Sequence, residues 1–161
     1  MTTKKIAVLG MLTALYVVLS AFLKFVIFGN IMVDLGYIAF SVALCLFGPW
    51  GTVVGVIGCA LESILFSAYG FSISWVAANL VIGLICGFLF RFAERNTERY
   101  LIVLMAVAAG VLLIKTAIEC TLYGIPVEVK FPKNAVAFAV DAVAMMFGLV
   151  VYDSIEGKVT L

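Results

Sequence analysis

The chain lacks histidine and carries little charge: charged residues make up 12% of its 161 residues. The absence of histidine removes the commonest general base and the commonest metal ligand of proteins. A soluble domain is usually about 25% charged and about 45–50% apolar, whereas this chain is 66% hydrophobic. The composition therefore excludes an ordinary soluble domain and predicts a polytopic membrane protein that forms one domain over residues 1–161.

Motifs of several enzyme classes are also missing. The sequence has no G-x-x-x-x-G-K-[ST] phosphate loop, no H-E-x-x-H and no G-x-S-x-G, so it supplies neither a P-loop ATPase nor the usual hydrolase signatures. The four cysteines are scattered without a C-x-x-C pair, at Cys45, Cys59, Cys86 and Cys120. We interpret them as small buried hydrophobic residues. We expect no enzyme activity, no metal, no cofactor and no nucleic-acid partner.

Long apolar runs are what the sequence does have. A spanning helix needs about 20 apolar residues and sometimes as few as about 17. Six runs predict six short transmembrane helices, at Ile6–Leu23, Leu35–Phe47, Thr52–Ser67, Ser74–Phe92, Tyr100–Cys120 and Asn134–Tyr152. We expect loops at Lys24–Asp34, Ala68–Ser72 and Thr121–Lys133, a tight turn at Gly48–Gly51, and a charged connector at Arg91–Arg99 whose i,i+3 ion pairs extend a helix into water.

The basic residues predict the orientation in the membrane. Six of them fall on one face of a six-span arrangement, namely Lys4, Lys5, Arg91, Arg95, Arg99 and Lys158, and three on the other, namely Lys24, Lys130 and Lys133. Loops rich in lysine and arginine stay in the cytoplasm. Both termini are therefore predicted to be cytoplasmic, and the Arg91–Arg99 run is expected to set topology and to touch anionic lipid.

Polar side chains inside the predicted spans are the main functional signal. A charge in hydrocarbon costs on the order of 3 kcal/mol or more, so such residues are usually functional. With cytoplasmic termini, all fall towards the outer side of the bilayer. The candidate substrate-binding residues are Glu62, Asn79, Lys115, Glu119, Asn134 and Asp141. We interpret them as an outward-facing pocket for a small polar molecule, and carboxylates with amides favour a neutral or cationic nitrogen heterocycle.

Each candidate also has a purely structural interpretation. Lys115 and Glu119 are spaced i,i+4 and can neutralise each other near the interface. Glu62 can pair with Lys115 across the bundle. Asn79 can join helices by hydrogen bonds, and Asn134 can cap the last helix.

Aromatic and loop residues near the same level leave two alternatives open. Tyr69, Trp75 and Tyr123 form either a lid over the pocket or the aromatic belt at the membrane interface. Asp34 ends the first predicted loop, Tyr37 lies three residues beyond it, and both are candidates for a gating segment after the first helix.

The chain as a whole resembles a known family. It has a basic start, Gly10 and Ala14 at small-xxx-small spacing in the first helix, the turn Phe47-Gly48-Pro49-Trp50-Gly51, and six short predicted helices. In these features it is similar to the membrane-embedded, substrate-binding S component of energy-coupling-factor (ECF) transporters.

The resemblance implies function, partners and location. Members capture a vitamin or related micronutrient from outside the cell, do not hydrolyse ATP, and topple in the plasma membrane to release cargo. They dock on a membrane-embedded coupling subunit that carries two cytoplasmic ATPases. The family pattern on the first helix is alanine-xxx-alanine, and here Ala7, Gly10 and Ala14 take the position of that interface.

Two functions of other classes remain as alternatives. A self-sufficient, proton-coupled carrier of a small polar solute would use the membrane carboxylates as a relay, although residues 1–80 and 81–161 show no convincing repeat of the kind that carriers commonly contain. An intramembrane enzyme would need a nucleophile such as Ser63 or Ser67 near Glu62.

Overall fold

The structure is a computed structural model that describes residues 2–22, 25–28, 31–67 and 70–156. Most of it is helical. In chain order the elements are α1 (Thr3–Phe22), β1 (Phe25–Phe28), β2 (Ile31–Val33), α2 (Gly36–Phe47), a 3₁₀ turn (Gly48–Gly51), α3 (Thr52–Phe66), α4 (Ile73–Leu89), α5 (Asn96–Val107), a π-helix (Ala108–Lys115), α6 (Thr116–Leu122) and α7 (Val127–Ile155).

Length and hydropathy indicate a membrane-spanning bundle. By length and composition alone, four helical stretches among the described residues are apolar enough to cross a membrane: Thr3–Phe22, Gly36–Phe66, Asn96–Leu122 and Val127–Ile155. The second of them consists of α2, the 3₁₀ turn and α3. The shorter apolar helix α4 lies between the second and the third of them. The predicted all-helical fold is confirmed apart from one short β hairpin, while the count of six spans stays a prediction.

The predicted turn between the second and third apolar runs reverses the chain. Gly48 has φ +57°, a conformation that favours glycine. A Cβ on Gly51 would lie 2.5 Å from the Ala43 carbonyl oxygen, and one on Gly55 would lie 2.4 Å from the ring of Phe40. Positions beyond the turn therefore meet positions before it in reverse order, so α2 and α3 pack antiparallel in close contact.

Two predicted loops contain regular structure instead. Strands β1 and β2 pair antiparallel inside the segment expected to be the loop Lys24–Asp34. Helix α7 begins at Val127, seven residues before the predicted start at Asn134, and includes Pro132 within its second turn. The prediction was wrong here because hydropathy reports where a helix enters hydrocarbon, whereas Glu128 and Lys130 let this helix continue into water.

The charged connector does not extend helix α4, so the expectation that its i,i+3 ion pairs lengthen that helix was wrong. Helix α4 ends at Leu89. The carboxylate of Glu98 instead accepts hydrogen bonds from the backbone N–H groups of Glu94 (2.8 Å) and Arg95 (3.4 Å). The first backbone donors of a helix lack partners within that helix, so Glu98 stabilises the start of α5 and not the end of α4.

The fifth predicted helix is continuous but not regular. Between α5 and α6 it widens into the π-helix Ala108–Lys115. Here the chain passes close to α4, since a Cβ on Gly110 would lie 2.5 Å from Ile82 and 2.9 Å from the Ala78 carbonyl oxygen. Short π-helical stretches within α-helices often accompany functional sites, and this one ends at Lys115.

The helices contact one another in a closed ring. Helix α1 packs against α2 and α3, α3 against α4, α4 against the π-helix, and α7 joins the π-helix to α2. The outer face of α1, here called its bare face, is not covered by another described helix. Ala7, Gly10 and Ala14 on it are all exposed. A Cβ placed on Gly10 would have no described atom within 4 Å. The inner face is tight, because a Cβ on Gly58 would lie 2.6 Å from the ring of Tyr16.

The two glycines give a matched test of this packing. Gly58→Ala is expected to lower the stability by about 1–3 kcal/mol, because the Tyr16 ring has to move to make room. Gly10→Ala, on the bare face of the same helix pair, is expected to leave stability unchanged. Thermal unfolding of the two variants in one detergent measures both. Equal melting temperatures would contradict the α1–α3 contact.

Candidate functional site

The polar candidates lie between the middle and one end of the bundle, a region here called the polar end, towards which α1 and α3 finish and from which α4 and α7 begin. They come from four different helical stretches. All six predicted binding residues are buried, none more than 8% exposed: Glu62, Asn79, Lys115, Glu119, Asn134 and Asp141. Polar side chains in a membrane bundle face its interior because hydrocarbon offers them no partner.

Three of the six form one hydrogen-bonded group, here called the lysine network. The ammonium of Lys115 lies 3.2 Å from Glu119 Oε1 and donates to Asn134 Oδ1. The amide of Asn134 donates to Glu119 Oε2 (3.0 Å) and to Thr116 Oγ1 (2.9 Å). Lys130 on α7 adds a second cation, 3.4 Å from Glu119 Oε1. The network therefore ties the π-helix and α6 to α7.

The indole of Trp75 completes this side of the polar end. The Lys115 ammonium lies 4.3 Å from the ring centroid, which is the geometry of a cation–π contact. One face of the Trp75 ring is thus covered by a charged group within the bundle. The predicted i,i+4 pairing of Lys115 with Glu119 is confirmed. Trp75 contacts the lysine network, and the choice between a lid and an aromatic belt stays open.

A second group, here called the tyrosine network, joins the other side of the bundle. Asn79 accepts a hydrogen bond from the Tyr37 hydroxyl (2.7 Å) through Oδ1. Its amide nitrogen donates to the Tyr16 hydroxyl and to the Gly55 carbonyl, both at 3.3 Å. Asn79 is completely buried, so one amide on α4 connects three other helices, α1, α2 and α3.

Asp34 attaches the segment after the β hairpin to the tyrosine network. One carboxylate oxygen accepts hydrogen bonds from Ser20 Oγ (2.5 Å) and from the Gly36 backbone N–H (2.8 Å). The other accepts a longer bond from the Tyr16 hydroxyl, 3.4 Å. The carboxylate thereby fixes the start of α2 against the last turns of α1. Asp34 and Tyr37 therefore belong to a structural junction beside the polar site.

Asp141 lies on α7, the helix that also carries Asn134 of the lysine network, and is 2% exposed. Among the described residues its Oδ2 atom has no hydrogen-bond partner. Asp141 interacts electrostatically with Asp34, which joins the tyrosine network, and with Lys115 of the lysine network. An unpaired polar atom at such a depth costs about 1–3 kcal/mol and more when the group is charged, so this acceptor is the least satisfied polar group among the described binding candidates.

The remaining candidates are placed as follows. Glu62 is buried on α3, one turn beyond Gly58. Tyr123 is 52% exposed at the end of α6, and Tyr69 lies outside the described residues. Prediction missed Tyr16 in particular, although a tyrosine and Ser20 spaced i,i+4 on an apolar helix were a readable signal of an inward polar face.

A double-mutant cycle tests the lysine network. Lys115→Met and Glu119→Gln are each expected to destabilise the protein, since each leaves the other buried partner less well paired. The double variant is expected to lose less than the sum, with a coupling energy of about 0.5–3 kcal/mol. Denaturation of the three variants and the parent in one detergent measures this. Additive losses would show that the two groups do not interact.

Comparison with known proteins gives a family match. The model of the family described as "ECF-type riboflavin transporter, S component" matches residues 1–155. Two curated relatives from Clostridium perfringens, both named "UPF0397 protein", are 34% identical (strain SM101) and 33% identical (strain ATCC 13124) over 98 residues. That match covers 60% of this chain and 52% of each relative, so the chain spans about half the length of these curated relatives.

Solved structures share the fold. FolT bound with folic acid superposes with a TM-score of 0.73 at 20% identity, covering 92% of this chain and 93% of that one. The S component for biotin from an ECF-type ABC transporter gives 0.73 at 18% identity, covering 99% and 96%. The bundle, its membrane-spanning helices and the match over residues 1–155 agree, and the chain belongs to the membrane-embedded S components of ECF-type transporters, in the riboflavin transporter family.

Proposed function

We propose that this protein captures a small water-soluble vitamin at the polar end and delivers it across the membrane when docked on an ATP-driven ECF module. The chain then acts as one substrate-binding domain without an enzymatic step. Glu62, Asn79, Lys115, Glu119, Asn134 and Asp141 are the proposed binding residues. The family match supports the class of function, and the buried polar groups support the place.

The observation that carries the proposal is the Oδ2 atom of Asp141. It is buried among helices, near Lys115, and has no hydrogen-bond partner in the described structure. A site built to hydrogen-bond a ligand leaves its polar groups unpaired when the ligand is absent, and it discriminates strongly in favour of a ligand that supplies the missing donor. Asp141 therefore selects a ligand with an N–H or O–H group at this position.

The other groups narrow the chemistry of the ligand. Lys115 offers a donor to a carbonyl or ring nitrogen, Asn79 and Asn134 offer both donors and acceptors, and Trp75 offers an aromatic face. This set favours a flat nitrogen heterocycle with N–H and C=O groups on one edge. The matching family is described as a riboflavin transporter, which favours riboflavin, while the structural neighbours are FolT bound with folic acid and an S component for biotin.

Binding requires one rearrangement of the structure as it stands. The Lys115 ammonium covers the Trp75 ring at 4.3 Å, where a flat ligand would stack. Lys115 therefore moves off the indole when the ligand enters and turns its ammonium towards a ligand acceptor, while Asn134 and Glu119 keep their mutual hydrogen bond. Ring stacking of the ligand on Trp75 then replaces the cation–π contact, and the ligand acceptor replaces contacts of Lys115 with Glu119 and Asn134.

A binding titration with matched aspartate variants tests the site. Asp141→Asn is expected to weaken binding of riboflavin by about 10-fold or more, because one carboxyl oxygen is replaced by an NH2 group that cannot accept a hydrogen bond. Asp153→Asn, at the opposite end of α7, is expected to bind as the parent does. Quenching of flavin fluorescence measures both. Equal affinity of the Asp141 variant and the parent would overturn this placement, and a panel with folate and biotin shows whether another vitamin binds instead.

Docking is proposed on the bare face of α1. Ala7, Gly10 and Ala14 are exposed and small, and small residues let helices approach closely in membranes. Gly10→Leu is expected to leave vitamin binding unchanged and to reduce vitamin uptake by cells with an ECF module to background. Radiolabelled uptake beside equilibrium binding separates the two effects. Unchanged uptake would show that the coupling subunit docks elsewhere.

Six spans with both termini in the cytoplasm, in the plasma membrane, complete the proposal. Epitope tags at the N-terminus and after Leu161 are expected to react only in permeabilised cells, and a tag between β1 and β2 in intact cells. Reaction of a terminal tag in intact cells would show that this terminus lies outside the cell, contrary to the proposed orientation. A self-sufficient, proton-coupled carrier remains the alternative: vitamin uptake by liposomes that hold this chain alone and a proton gradient would favour it.

A further inference from the structure

A second set of charged groups lies at the opposite end of the bundle, here called the turn end, where the Gly48–Gly51 turn meets the end of α4 and the start of α5. A cavity of about 440 Å³ there is lined by Arg91 and Arg99 together with Pro49, Trp50 and Phe90, among others. A neighbouring cavity of about 310 Å³ is lined by Lys5, Leu46, Phe47 and Trp50. The two cavities share Trp50, whose side chain is 63% exposed.

The cations around Trp50 have few partners. Among the described residues neither Lys5 nor Arg91 forms an ion pair, and the Arg91 guanidinium lies 5.1 Å from the Phe88 ring centroid. Arg99 forms a long ion pair with Asp153, at 3.8 Å, and its buried Nε has no hydrogen-bond partner in the described part of the chain. Two cations, Lys5 and Arg91, thus line the adjoining cavities without an ion-pair partner among the described residues, and the third, Arg99, is only partly paired.

We propose that these paired cavities bind the phosphate headgroup of an anionic phospholipid. Guanidinium groups match phosphate oxygens in two-point fashion, and Arg91 and Arg99 present two such groups on one side of Trp50 while Lys5 adds a point charge on the other. Basic pockets between transmembrane helices suit anionic headgroups. The site is separate from the polar end and does not depend on which vitamin is captured.

The surroundings favour a lipid over a free phosphate. Phe88 is 50% exposed and Phe92 is 78% exposed beside Arg91, so apolar surface for acyl chains continues directly from the basic cavity. Trp50 lies at the boundary between the basic and the apolar surface. Its amphipathic indole suits the membrane interface, between headgroups and hydrocarbon. A soluble phosphate would gain nothing from these apolar groups.

Lipid titration of the purified full chain with matched charge variants tests the proposal. Apparent affinities for dioleoyl phosphatidylglycerol and dioleoyl phosphatidylcholine are measured by native mass spectrometry from one detergent. The anionic lipid is expected to bind more tightly, and Arg91→Gln and Lys5→Gln are each expected to weaken it about fivefold. Arg95→Gln and Lys4→Gln remove the same charge from exposed positions that line neither cavity, and no change is expected. Arg99 is left intact because its substitution would also disturb Asp153.

Several outcomes would overturn the proposal. Equal binding of the two lipids would show that the cavities do not recognise the anionic headgroup. Equal losses in the Arg95 and Lys4 variants would indicate diffuse surface charge. Displacement of the lipid by millimolar inorganic phosphate would assign the site to a free anion. Unchanged lipid binding in the Arg91 and Lys5 variants, with loss of co-purification with the coupling module, would make this a protein-docking surface.

Discussion

Asn79 makes hydrogen bonds to three other helices from a position with no access to solvent. In a bilayer the hydrocarbon offers such an amide no alternative hydrogen-bond partner. Its bonds to Tyr16, Tyr37 and the Gly55 carbonyl therefore constrain the packing of the first four α-helices. The close approach of these helices follows from the same constraint. Gly58 gives the Tyr16 ring the room it needs to reach both Asn79 and Asp34.

The polar end contains two hydrogen-bonded groups that differ in charge. The tyrosine network consists largely of neutral hydroxyl and amide groups with directed hydrogen bonds, and it fixes helices. The lysine network holds opposite charges on the π-helix, α6 and α7 and covers an aromatic ring. Asp141 interacts electrostatically with Asp34 of the first group and Lys115 of the second, and one of its oxygens has no hydrogen-bond partner among the described residues. The polar end therefore combines a neutral, hydrogen-bonded side with a charged side.

Much of this arrangement could be predicted from the sequence, because burial in hydrocarbon restricts polar residues so strongly. The apolar runs gave most helix boundaries to within a few residues, and Phe47–Gly51 predicted the reversal between α2 and α3. The start of α7 was missed because hydropathy detects only the apolar part of a helix and not a turn that extends into water. The π-helix was missed because its widening depends on the contact of Gly110 with α4, which is a tertiary feature. Tyr16 was missed although its i,i+4 spacing with Ser20 marks an inward polar face, because its partners Asn79 and Asp34 lie far away in the sequence and are brought to it only by the fold.

The unequal lengths of the helices have a consequence for the surrounding bilayer. Helix α4 has 17 residues and rises about 26 Å, less than the hydrocarbon core of about 30 Å. Helix α7 has 29 residues and rises about 43 Å. A bilayer responds to a short hydrophobic helix by thinning or by side chains that reach the interface, and to a long one by tilting of the helix. The membrane is therefore expected to adapt differently around α4 and around α7.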